Sequence, residues 1–147
     1  MPMKTSDRAY LAGILDGEGH FSIVHIPNIR RYRPFLGLMT TSVPLVNWIT
    51  TNIGGYVYDR SHQPSHKKHW KDRYEWRLES SAIEHVTNLV LPYLVIKKSH
   101  AEIMLSFRKT FSGPGKRPSE ETTQLRNSLF LQMKKLNSRT FAADCLS

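Results

Sequence analysis

The sequence predicts an α+β fold in which two β-hairpins are each followed by a helix and further helices close the chain. Three observations carry this. Apolar residues switch repeatedly between helical spacing and strict alternation along the chain. Gly, Pro, Asn and Ser punctuate the switches. The 147 residues, 39% of them apolar, suffice for one core but not for two.

Taken in order, Thr5 or Ser6 is the expected cap of a first helix, with Ala9, Tyr10, Leu11, Ala12, Ile14 and Leu15 inside it and a stop near Gly17 and Gly19. Phe21–Ile26 reads as a strand ended by Pro27-Asn28. Phe35–Thr41 reads as its hairpin partner, with Leu36 and Leu38 on one face and Arg30, Arg31 and Arg33 at the tip. Ser42-Val43-Pro44 opens a short helix with Leu45, Val46 and Ile49 as its stripe, and Gly54-Gly55 ends it. Tyr56–Arg60 and Arg73–Glu79 make a second strand pair; Tyr74, Trp76 and Leu78 alternate there with Glu75, Arg77 and Glu79. Ser81 and Glu84 form a capping box for a helix over 81–90, stopped by Pro92. A fourth helix runs from Lys97 or Lys98 to Phe111, with Ser99 as its cap. After the break at Ser112–Pro118 a last helix covers about 119–137. The order is αββαββα plus C-terminal helices, a single domain over 1–138 with a tail at 139–147.

Charge narrows the partner. Lys and Arg number 21 against 12 Asp and Glu, a formal net charge of +9. Nine of the basic residues and only three acidic ones lie within residues 30–77, interleaved with eight aromatics. A basic, extended, aromatic-rich segment points to nucleic acid. The single Cys145 excludes an internal disulfide framework and a Cys-based zinc finger, and fits a reducing compartment. The first residues carry no cleavable signal pattern, and the longest apolar run, Leu89–Ile96, is too short to cross a bilayer. The expected setting is intracellular, with neither a membrane nor a small-molecule cofactor as partner. His62, His66 and His69 stand at transition-metal spacing, but no Cys completes the set, so a loop surface is the preferred reading. His20 and His25 are expected on the strand surface.

The most specific segment is Leu11-Ala-Gly-Ile-Leu-Asp-Gly-Glu-Gly19. Gly13 and Gly17 fall on one helical face. Each costs about 1 kcal/mol against Ala, a cost that close approach of a second helix would offset. Glu18 follows at the helix C-terminus, where the helix dipole disfavours a carboxylate and a bound cation reverses the penalty. Pairing two such helices would bring two Glu18 carboxylates together.

This segment resembles the signature of the LAGLIDADG homing endonucleases, matching at Leu11, Ala12, Gly13, Asp16 and Gly19. Ile14 and Leu15 are swapped, Gly17 stands for a small Ala and Glu18 for Asp. Thr40–Ile49 with Ile53-Gly-Gly-Tyr56, and Leu91–Lys98, resemble further family segments, so the likeness covers roughly residues 8–110. It implies a four-stranded antiparallel, saddle-shaped sheet along the DNA major groove. One signature copy implies a homodimer about the paired helices, with Leu11, Gly13, Ile14 and Gly17 at the interface. The dimer would carry twice the +9 charge and bind DNA with steep salt dependence.

The resemblance implies Mg²⁺-dependent hydrolysis of double-stranded DNA at a long, near-palindromic site, with Mn²⁺ tolerated. Glu18 becomes the metal ligand, with the Gly17 carbonyl as a second contact. Lys97, or Lys98 one residue on, becomes the catalytic-site lysine; Ser42 falls where the family has a polar residue that organises water, although helix capping is its expected main role. Asp16 reads as structural. With Phe21 and Ile23 core-facing, Ser22, Val24, Ile26 and Asn28 are left for DNA. Arg33, Arg60, Glu75 and Arg77 are expected at bases or phosphates, with Arg30, Arg31, Arg73, Lys67, Lys68, Lys71 and Lys98 adding to the basic surface. The reading frame could lie in an intron, in an intein or stand free; no Cys or Ser stands at position 1, which points away from an intein. The other readings are a same-fold DNA- or RNA-binding protein without cleavage (a maturase or regulator) and an unrelated basic nucleic-acid-binding module.

Overall fold

A computed structural model of the chain describes residues 2–29, 31–62, 67, 71–111 and 117–138. The elements follow the expected order. They are α1 (Thr5–Glu18), β1 (Gly19–Ile26), β2 (Arg31–Thr40), α2 (Val43–Asn52), β3 (Tyr56–Asp59), β4 (Tyr74–Arg77), α3 (Ser80–Val90), α4 (Lys98–Arg108) and α5 (Glu120–Leu136). The strands form one antiparallel sheet in the order β1-β2-β4-β3.

The helices pack on one face of this sheet. Leu11 and Leu15 of α1 meet Phe21 and Ile23 of β1, Leu36 and Leu38 of β2 and Trp76 of β4 in a core that Ile83, Met104, Phe107 and Met133 complete from α3, α4 and α5. Removal of these apolar surfaces from water is what holds the helices to the sheet. Gly54 and Gly55 turn the chain with φ of +92° and +94°. A Cβ at Gly55 would stand 2.6 Å from Trp76 Nε1, which donates to the Gly54 carbonyl at 2.7 Å. The glycine pair therefore ends α2 and seats the central tryptophan at once.

Several local expectations are corrected. The strand β2 begins at Arg31 rather than Phe35, and the hairpin tip is a 3₁₀ turn over Pro27–Ile29. Arg31 and Arg33 pair with Ile26 and Val24 inside the ladder. Leu78 N–H donates to Leu36 O, so residues 34 and 36 both point their backbone groups away from β1. There β4 reaches only Gly37–Thr40, and the missing N–H of Pro34 leaves no ladder bond unmade. Lys4, not Thr5 or Ser6, is the cap residue of α1, and it makes no side-chain cap bond. Glu79 caps α3 by position, so Ser81 and Glu84 lie inside the helix and form no capping box; Glu84 instead lies 3.9 Å from Arg108 of α4. Lys97 takes the cap position of α4 in place of Ser99. His25 is not a free surface residue: it stacks on Tyr32 at 4.6 Å beside Phe130 of α5. Cys145 and the tail at 139–147, together with Arg30, His66, Lys68 and His69, lie outside the described residues.

Candidate active site and nucleic-acid interface

The signature helix ends against the first strand. The chain leaves α1 at Gly19 in an extended conformation and returns close over Leu15; a Cβ at Gly19 would lie 2.7 Å from the Leu15 carbonyl oxygen. Only glycine lets β1 start there, and this fixes Glu18 at the junction. Glu18 is exposed and makes no hydrogen bond or salt bridge among the described residues. No basic residue occupies the last turn of α1. The Glu18 carboxylate thus faces solvent at the negative end of the helix, with Lys97 as a nearby opposite charge.

Asp16 joins this end to α4. Its carboxylate accepts from the backbone N–H groups of Val95 (2.9 Å), Ile96 (3.1 Å) and Lys97 (3.0 Å). These donors belong to the three residues that lead into α4, of which Lys97 holds its cap position, so a residue from α1 anchors the approach to the helix. The clasp delivers Lys97 to the signature: its Nζ donates to the Gly19 carbonyl. Burial pushes the Lys97 ammonium below its ordinary value, against the opposing pull of Asp16 and Glu18. The expected structural role of Asp16 thereby gains its partners. Asp16→Ala should cost about 1–3 kcal/mol of stability, as loss of hydrogen bonds to a charged group does, read as a lower melting temperature; it should also loosen the placement of Lys97.

Sequence reasoning missed the cluster beside Lys97. Asn137, at the end of α5, donates through Nδ2 to the Phe21 carbonyl at 2.9 Å. That orientation turns Oδ1 towards His100, whose Nε2 donates across 3.1 Å. Burial holds the His100 imidazole below its ordinary value; the Asn137 bond opposes this, and Lys97 and His20 add to the lowering. Burial, then Lys97, lowers His20 as well. Positions more than a hundred residues apart, Phe21 and Asn137, meet here, and no local pattern announces such a contact.

The second expected site is the sheet face opposite the core. Cross-strand pairing puts Ser22 opposite Phe35, Val24 opposite Arg33 and Ile26 opposite Arg31. Gly37 faces Arg77, Met39 faces Glu75, and Tyr56 and Tyr58 face Arg77 and Glu75. Directly paired residues share a face, so Ser22, Val24, Ile26, Arg31, Arg33, Glu75 and Arg77 lie together. Arg60 extends it: its N–H donates to the Arg73 carbonyl at 2.9 Å beyond the end of β3. Asn28 is exposed on the hairpin turn, and Lys67, Lys71 and Lys98 are exposed. Arg60, Glu75 and Arg77 are not free, however. Glu75 accepts from Arg60 Nε and Arg77 Nη2, each at 2.8 Å. Ser42 caps α2, accepting from Leu45 N–H at 3.2 Å, and nothing ties it to Glu18 or Lys97.

The third surface is the outer face of α1. Gly13 and Gly17 are exposed, and a Cβ at either would meet nothing within 4 Å. Tyr10 beside them is 54% exposed, and Val95 and Ile96, clasped to Asp16, are 83% and 69% exposed. Leu11 does not belong to this face. It is fully buried in the chain's own core, and Ile14 is half-buried against that core.

This arrangement of elements is the LAGLIDADG homing-endonuclease fold. The chain superposes on the homing endonuclease I-CvuI bound to its target in the presence of calcium, with a TM-score of 0.71 and 18% identity over 91% of this chain and 83% of that one. An I-CvuI complex in the presence of magnesium, its DNA not cleaved, gives 0.70 and 18% over 96% and 92%. The archaeal intron-encoded homing endonuclease I-Vdi141I, complexed with DNA, gives 0.72 at 14% identity over 91% and 86%. The LAGLIDADG homing endonuclease I-GzeII, with its DNA target, gives 0.62 at 15% identity over 87% of this chain but only 43% of its own. No protein-family profile and no curated protein matches the sequence. No helix among the described residues is long and apolar enough to cross a membrane.

Proposed function

We propose that the chain is a site-specific double-strand DNA endonuclease, acting inside the cell as a homodimer on a long, near-palindromic target with Mg²⁺. The observation that carries this reading is Glu18: an exposed, unpartnered carboxylate held by Gly19 at the end of the signature helix, with the Lys97 ammonium bonded to the next carbonyl. The donor set fits Mg²⁺, which prefers carboxylate, carbonyl and water oxygens over nitrogen and sulfur. The described residues of one chain contain no cluster of three metal-ligating side chains. Glu18 and the Gly17 carbonyl of two chains would therefore hold the ions together with DNA oxygens and water. Bound Mg²⁺ neutralises charge at the scissile phosphate and leaving oxygen and acidifies the attacking water.

Lys97 contributes a fixed positive charge beside that phosphate, and Asp16 keeps it in place. Charge aimed in advance at the developing negative charge needs no reorganisation during reaction. Ser42 would act on ordered water through its hydroxyl proton or its second lone pair, because the first lone pair already caps α2. The open face of Tyr10, Gly13 and Gly17 supports pairing of two α1 helices. The match to less than half of I-GzeII accords with two such chains making one working unit.

The test is selection of cleaved sites from a random DNA library with Mg²⁺. The expected result is one enriched, near-palindromic sequence, cut on both strands, with activity lost on removing Mg²⁺ and kept when zinc is chelated. Enrichment by binding without any cut product would identify the non-cleaving, same-fold binding protein instead. Zinc dependence would redirect attention to His62 and the neighbouring His66 and His69.

A further inference from the structure

The exposed sheet face holds one carboxylate between two guanidinium groups. Glu75 Oε2 takes Arg60 Nε and Oε1 takes Arg77 Nη2, both at 2.8 Å. The same two arginines share an aromatic ring: Arg77 lies 4.6 Å and Arg60 5.1 Å from the centre of Tyr58. Phe35 supports Arg77 from the adjoining strand at 5.6 Å. A carboxylate and two ring faces thus fix two long side chains before any ligand arrives, and fewer rotamers remain to be lost on binding.

The two guanidiniums are held differently. Arg60 is bound through Nε, so its terminal pair of nitrogens makes no hydrogen bond among the described residues. That pair is the fork that matches the O6 and N7 acceptors of guanine. Arg77 is bound through a terminal nitrogen, and its Nε is buried without a hydrogen-bond partner. Its donors for a ligand are therefore the terminal N–H groups that Glu75 leaves unused, without Nε. Glu75, with a guanidinium on each oxygen, is poorly placed to accept from a base.

Resting on the DNA-binding reading above, we propose that Glu75 is a positioning residue that couples Arg60 and Arg77 into one specificity unit, in which Arg60 reads guanine and loss of either arginine alters what the other recognises. If Arg60 is removed, Glu75 and the Tyr58 ring are left to Arg77 alone, and its remaining terminal donors are re-aimed. The base pairs read by the two are then recognised non-additively.

The test compares selected binding sites, and affinities for single-base variants of them, across the wild type, Arg60→Lys, Arg77→Lys, the double variant and Glu75→Ala. The expected wild-type site contains a guanine in each half whose replacement weakens binding about 5- to 150-fold, the range for a bidentate contact. Arg60→Lys should abolish that discrimination and also change the preference at the position that Arg77→Lys identifies. Glu75→Ala should lose discrimination at both positions while affinity for non-specific DNA holds or rises, since a negative charge is gone. A merely structural role would lower both affinities together. Melting curves establish that each variant is folded; should Glu75→Ala fail to fold, the two lysine variants and their combination carry the test. Full discrimination in folded Glu75→Ala, or strict additivity of the lysine variants, overturns the proposal while leaving DNA binding intact. Failure of the wild type to enrich any sequence overturns the DNA-binding reading, and this proposal with it.

Discussion

Glu18→Gln should abolish cleavage and leave DNA binding close to that of the wild type. The side chain is exposed and unpartnered in the chain, so an isosteric amide breaks no contact that holds the fold. What it removes is the negative charge that would hold a divalent ion. Loss of metal stabilisation amounts to several kcal/mol in the transition state, about 10³-fold or more in rate. The proposed DNA-binding surface is the sheet face, which Glu18 does not touch, and removing a carboxylate near phosphates would not weaken binding electrostatically. Single-turnover cleavage and gel-shift titration on the same target separate the two effects. A variant that cuts at the wild-type rate, or one that loses binding and cleavage together, would remove Glu18 from the metal site.

Gly13→Leu should convert the dimer to a folded monomer. A Cβ at this position meets nothing within 4 Å in the chain, so the substitution intrudes on no intramolecular neighbour. Replacing a helical glycine with leucine should even favour α1 by roughly 0.8–1 kcal/mol. A partner helix approaching through the glycine face would instead meet a bulky side chain in each copy. Sedimentation equilibrium should show the monomer and thermal melting an intact fold, and cleavage of both strands should disappear with the dimer. A dimer of unchanged affinity would refute the helix-pair interface, whatever happened to activity. Leu11, buried under the same helix, offers no comparable test, because its truncation would open the chain's own core.

The features legible in the sequence were those whose causes are local. Alternation of Tyr74, Trp76 and Leu78 with Glu75 and Arg77 assigned the faces of β4, because successive strand residues point oppositely. Ser42 and Gly54-Gly55 marked the ends of α2 through chemistry confined to a few residues. The capping pattern Ser81/Glu84 misled because Glu79, already extended, takes the cap position two residues earlier, and a side-chain box is only one way to begin a helix. Leu11, expected at the dimer interface, lies in the chain's own core for the same kind of reason. A nine-residue signature has two sides, and only the packing of β1, β2 and β4 beneath it decides which is buried. Candidate-site residues could be named one by one, but their joining could not. The Asp16 clasp on Lys97, the Asn137–His100 contact and the Glu75 bridge each cross elements that no local rule connects.

The Asp16 clasp also bears on how the protein is made. It spans 79 to 81 positions of sequence, and contacts of such separation form only after much of the loop between them has been closed. During synthesis the acidic end of the signature helix and the whole basic sheet leave the ribosome well before Lys97 does. A nascent or interrupted chain that stops short of residue 95 therefore owns the sheet and Glu18 but lacks the lysine and the segment that seats it. The hazardous chemistry proposed for this chain would be withheld, by the order of translation alone, until the sheet and its first three helices have emerged.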